Sequence, residues 1–118
     1  MSDAMAVVET YVSTVSGIPA AALRGPRRVE PVSRWRAVAI YLGHTTFGVS
    51  LSDAGAYFGR DRTTARHHVE TVEEGRAGLT DQLLDHLDVG VREFRRALEL
   101  VGRLAPLRAP GTLADRLG

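Results

Sequence analysis

Residues 50–74 of the chain read SLSDAGAYFGRDRTTARHHVETVEE. Ser50 can cap a short helix, Asp53 stands where a capping box closes three residues later, and Leu51, Ala54 and Phe58 fall on one helical face. Gly59 must stop that helix. Asp61 can open a second one, because its carboxylate can accept the free amides of Thr63 and Thr64 and its charge suits a helix N-terminus. Two helices and a tight turn make a helix-turn-helix. Arg60, Asp61, Arg62, Thr63 and Thr64 gather at the start of the second helix, a set of long cations and short hydroxyls able to reach base edges and phosphates together. The alternative for the same residues is a glycine turn between two ordinary helices, with Asp-Arg-Thr-Thr as a solvated cap.

The order of residues narrows the choice. Ser50-Leu51-Ser52-Asp53-Ala54-Gly55 followed by Phe58-Gly59-Arg60-Asp61-Arg62-Thr63-Thr64 resembles the C-terminal DNA-binding domain (domain IV) of the bacterial replication initiator DnaA. That signature runs roughly S-L-x-E-I-G and then F-G-G-R-D-H-T-T. Two departures are visible: one glycine is missing from the turn, and Arg62 stands where the family has histidine. The resemblance extends more loosely over Val7 to Leu87. It implies an all-α fold and a duplex DNA partner.

At 118 residues the chain is expected to form a small helical domain over residues 1–90, a helical extension over 91–104 and a tail over 105–118. It has no cysteine, which removes disulfides and cysteine zinc sites. With no signal peptide and no long apolar run, a soluble protein of the cytoplasm, associated with the nucleoid and not with a membrane, is expected. The net charge of +1 does not by itself suggest nucleic acid, but its distribution does. Arg24 to Arg36 holds five arginines against a single Glu30, whereas Glu70 to Glu99 holds eight acids against four arginines. A basic half can face phosphate while an acidic half turns away. All the Lys/Arg positions are arginine, a bias that suits bidentate recognition and that a genome rich in G and C also produces.

The chain begins with a helix expected from Asp3 to Ser16, with Met5, Val8, Tyr11, Val12 and Val15 as its core face and Gly17 as its end. Pro19 opens a short second helix through Leu23. Arg24-Gly25-Pro26-Arg27-Arg28-Val29-Glu30-Pro31 reads as a loop and a basic arm, of the kind whose arginine can enter a narrow minor groove. The DnaA resemblance gives that role to Arg28, with Arg27 as the second choice. Ser33 is the expected cap of a third helix, Arg34 to Thr46, carrying an apolar stripe of Trp35, Val38, Ala39 and Leu42. Arg34 and Arg36 resemble the R-P-R segment that contacts the DNA backbone in the family, with Trp35 in place of the proline. Glu30 stands where the family tends to be basic.

By reach, Arg62 can donate to guanine O6 and N7, Asp61 can accept from cytosine N4, and Thr63 or Thr64 can offer a methyl to thymine or a hydroxyl to phosphate. Arg60 and Arg66 are expected on the backbone, and Ser52 joins the expected DNA contacts. His67 and His68 point about a hundred degrees apart on a helix and no carboxylate cluster accompanies them, so neither a metal nor any other cofactor is expected. His67 lies near the family's histidine after T-T-V-L, which implies a phosphate contact or a packing role.

From Gly78 to Leu104, Leu79, Leu83, Leu87, Val91, Phe94, Leu98 and Val101 recur at intervals of three and four. This is either one long helix able to pair with a second copy, or two helices broken at Gly90. Beyond it, Thr112 and Asp115 can cap a last turn. No G-x-x-x-x-G-K-[ST] loop and no nucleophile-base set is present, so no enzyme is expected. The leading expectation is a sequence-specific duplex DNA-binding protein, a transcriptional regulator or a modulator of replication initiation at DnaA-box-like sites. Its rival is a protein-interaction module working through the C-terminal helix, as a homodimer or with another partner.

Overall fold

The computed structural model describes residues 2–107; the expected cap by Thr112 and Asp115 lies outside them. Six helices follow one another: α1 (Ser2–Ser16), α2 (Ala20–Arg24), α3 (Val32–Phe47), α4 (Leu51–Tyr57), α5 (Arg62–Glu73) and α6 (Asp81–Leu104), ending in a 3₁₀ turn at Ala105–Leu107. No strand occurs among the described residues. The all-α expectation holds.

The middle of α3 is apolar on most of its circumference, with Ala37, Val38, Ala39, Ile40 and Leu42 all buried, and a helix of that kind belongs at the centre of a core. Accordingly α1, α2, α4, α5 and α6 all pack against it. Met5, Val8 and Val12 of α1 supply one wall, Ala65, Val69 and Val72 of α5 another, and Phe58 fills the space beneath α4. Burying Phe58 alone contributes roughly 1.5–3 kcal/mol. Val15, expected in the core face of α1, is 47% exposed; it lies in the last turn of the helix.

Two helix starts differ from expectation. Pro19 is the N-cap of α2 and not its first residue. At α3 the N-cap is Pro31 and Ser33 lies inside the first turn. The backbone is already turning there: Ser33 donates its amide to the Val29 carbonyl (3.0 Å) and Trp35 to that of Pro31 (3.1 Å). Those bonds satisfy amides that a side-chain cap would otherwise serve.

Thr80 caps α6 by accepting the Leu83 amide at 3.1 Å. The helix then runs unbroken through Gly90, so the second of the two expected arrangements is not the one adopted. Gly90 is a contact and not a break, since a Cβ there would overlap the Tyr11 hydroxyl. Leu84, Leu87 and Val91 are buried, while Leu83 is exposed. Phe94 lies 5.8 Å from the Tyr11 ring, Asp88 accepts from the Thr46 hydroxyl at 2.6 Å, and the Arg95 guanidinium sits 4.9 Å from the centre of the Phe47 ring. The division expected at residue 90 therefore falls inside a continuous helix. Packing continues to Arg95, and Arg96 to Leu107 are exposed.

Candidate nucleic-acid interface

The turn between α4 and α5 is built as its residues require. Ser50 Oγ accepts the Asp53 amide at 3.0 Å, and α4 ends at Phe58 before Gly59, whose φ of +69° only glycine adopts without cost. At Gly55 the helices approach closely: a Cβ there would stand 3.0 Å from both Ala65 Cβ and the Arg60 carbonyl. The missing glycine of the signature is thus accommodated in a tight turn. The Arg60 guanidinium bends back to donate to the Phe58 carbonyl at 2.5 Å, and the Tyr57 hydroxyl donates to Glu9 of α1 at 2.9 Å, anchoring the end of α4.

Asp61 caps α5, its Oδ1 accepting the Thr64 amide at 2.8 Å. The amide and hydroxyl of Thr64 hold the carboxyl below the ordinary aspartate range. On α5, Ala65, Val69 and Val72 face the core. Arg62, Thr63, Arg66 and His67 are exposed, and Thr64, His68 and Thr71 lie at intermediate depth.

The Arg24–Pro31 loop, the start of α3 and this flank of α5 enclose an open groove of about 1150 Å³. Of the expected contact residues it brings together Arg28, Arg34, Arg36, Arg60, Asp61, Thr63, Thr64 and His67 on its lining, Arg36 at its buried floor. Arg27, Arg62, Arg66 and Ser52 are exposed but are not on its lining. Arg24, Ser33, His68, Thr71 and Arg76 also line it and were not among the expected contacts. The helical period carried forward from Thr64 would have found His68 and Thr71.

The groove is electropositive for a specific reason. Arg24, Arg34 and Arg76 pair with Glu9 (2.7 Å), Glu30 (3.1 Å) and Glu74 (2.7 Å). Among the described residues, no carboxylate lies within pairing distance of Arg27, Arg28, Arg60, Arg62 or Arg66. Burial, and then the proximity of Arg28, pushes the Arg60 guanidinium below its ordinary range. His68 is pushed down to about 4, first by burial and then by His67, Arg36 and Arg60, so it is a neutral imidazole at physiological pH.

Arg36 requires a correction. It was expected on the DNA backbone, yet it is 1% exposed. Its Nε donates to the Leu23 carbonyl (2.7 Å), Nη1 to that of Arg27 (2.7 Å), and Nη2 to those of Gly25 (3.0 Å) and Ala22 (3.3 Å). A buried guanidinium needs such acceptors to offset lost hydration. It is therefore committed to the protein: it borders the groove from beneath with almost no surface exposed.

A capped helix with exposed arginines and threonines at its N-terminus, held across a glycine turn by a shorter helix and flanked by a basic loop, defines a helix-turn-helix DNA-binding module. Comparison with known proteins agrees. A family model described as the bacterial dnaA protein helix-turn-helix matches residues 5–72, and the chain belongs to that family. The chromosomal replication initiator protein DnaA of Ruegeria pomeroyi is 36% identical over 94 residues, covering 78% of this chain and 19% of that protein. That of Cereibacter sphaeroides is 43% identical over 76 residues, covering 64% and 16%. The chain thus spans under a fifth of the length of these curated relatives.

Proposed function

We propose that the chain binds duplex DNA sequence-specifically at sites related to DnaA boxes, and that it regulates transcription or modulates replication initiation by occupying them, without catalysis. The groove between the basic loop and α5 carries this reading. In B-DNA a single phosphate ridge separates the major groove, about 12 Å wide, from the minor groove, about 6 Å wide. With α5 in the major groove and Arg28 in the adjacent minor groove, that ridge runs along the groove past Arg34, Arg60 and Thr64. Arg62, Asp61 and Thr63 then meet base edges, and Arg27, Arg66, His67 and Ser52 hold the flanking backbone. Such a protein works in the cytoplasm on the nucleoid.

Selection of bound sequences from a random duplex library tests this. The intact protein should enrich a motif, and Arg62→Ala should relax it at one or two positions, by about 1–3 kcal/mol each, with little loss on random duplex. Arg28→Ala should flatten the salt dependence by about one phosphate contact. No detectable binding to duplex at low salt would remove the reading.

A second reading is favoured by Leu98, Leu100, Val101 and Leu104 at the end of α6 and Leu107 in the 3₁₀ turn after it, all exposed. A homodimer or another protein partner would cover them, and sedimentation of the protein without DNA tests the first.

A further inference from the structure

We propose that Arg36 is a positioning residue for DNA readout: it fixes the Arg24–Pro31 loop to α3 and thereby sets where the Arg28 arm stands relative to the recognition helix α5. The inference rests on the DNA-binding reading above. Arg36 acts through the loop and not as a DNA contact, because its side chain is 1% exposed and four backbone carbonyls take four of its five N–H donors.

The identity of those acceptors is what matters. The carbonyls of Ala22 and Leu23 belong to α2, where helical partners run out. The carbonyls of Gly25 and Arg27 belong to the loop itself. Arg27 is the residue immediately before Arg28, so the arm leaves the protein one peptide away from an anchored atom. On its other side Arg36 is part of α3, which packs directly on α5; the Arg60 charge is felt at Arg36, and the Arg36 charge at His68 of α5. One planar guanidinium therefore ties the minor-groove arm and the major-groove helix to a common frame.

Without the tie, a segment containing Gly25 and Pro26 has no other bond among those observed to hold Arg27 and Arg28. Among the described residues the backbone bonds of the loop lie at its ends: Gly25 donates to Ala22, Val29 accepts from Ser33 and Pro31 accepts from Trp35. A minor groove about 6 Å wide tolerates little wandering of the side chain that enters it. Lysine is a poor substitute, since an ammonium offers three donors and no planar fork.

The first test needs no variant. In the free protein, ¹⁵N relaxation should give Arg27 and Arg28 backbone order parameters of about 0.85, as in the helices; values below about 0.6 would overturn the proposal. The second test compares Arg36→Lys with the intact protein in the library selection. Preference should collapse at the base pairs met by the arm, roughly tenfold in relative affinity, and persist at those met by α5. Arg36→Lys added to Arg28→Ala should cause no further loss at the arm positions. Uniform loss across the motif, or undiminished arm preference, would show a merely structural role. If the intact protein enriches no motif, the DNA reading fails; if it enriches one and the variant pattern is uniform, only this inference does.

Discussion

The Asp61 carboxylate accepts the Thr64 amide at 2.8 Å, so a residue assigned to base readout is also the cap of the helix that presents it. Its folded-state ionisation is held below the ordinary value by the Thr64 amide first and the Thr64 hydroxyl second. The unfolded value lies near 3.9. The cap's contribution is therefore fully present above that pH and is lost as pH falls through the lower folded value. Asp61→Ala should lower the Tm at pH 7, and its deficit relative to the intact protein should shrink below about pH 4. Asp61→Asn, which keeps an acceptor, should retain most of the neutral-pH Tm. Thermal unfolding followed by circular dichroism between pH 7 and pH 2 reads both.

His68 is held neutral down to about 4, below the unfolded value of about 6.5. The unfolded chain thus binds the extra proton over this window. Stability from the neutral imidazole is complete above about pH 6.5 and is lost as pH falls towards 4. Imidazole resonances of His68 should not titrate above about pH 5, and His68→Gln should flatten the acid limb of the Tm profile. A normal titration near 6.5 would contradict the packing described.

Gly90 faces the Tyr11 hydroxyl with no room for a methyl group. Alanine favours a helix over glycine by about 0.8–1 kcal/mol, whereas overpacking costs about 1–3 kcal/mol. Gly90→Ala should therefore destabilise the protein in urea, and adding Tyr11→Phe, which removes the nearest atom, should restore part of the loss. A stabilised single variant would show that α6 is less closely seated.

Glu30 holds Arg34 at 3.1 Å on the lining of the groove, where it competes with phosphate for the same guanidinium. Glu30→Gln should tighten binding to selected and random duplexes alike and steepen the salt dependence by about one phosphate contact. Folding stability should change little, because an exposed pair of this kind is worth about 0–1 kcal/mol. The measurement is a salt titration of affinity on both duplexes.

The helix-turn-helix was legible because its signals are local. Ser50 and Asp61 cap within three residues, Gly59 turns the chain in one, and Leu51, Ala54 and Phe58 repeat at helical spacing; none of these needs a distant partner. The exposed Arg62, Thr63 and Arg66 followed directly from the helix phase. Ser33 was misread for the opposite reason: its capping chemistry was suitable, but a turn begun at Val29 had already supplied the bonds. Gly90 read equally well as a break or as a tolerated glycine, since the tyrosine that lies against it is 79 residues earlier in the chain.

Arg36 marks the boundary between the two kinds of information. Local sequence determined that the chain is helical, where its turns fall, and that arginines crowd one half of it. Whether a given arginine faces solvent or the interior depends on which backbone carbonyls the fold offers it. Those of Leu23, Gly25 and Arg27, and that of Ala22 which also accepts the Gly25 amide, are brought around Arg36 only when α2 and its loop close over α3. Burial and hydrogen-bond satisfaction are properties of the assembled chain, and they decided which arginines remain exposed.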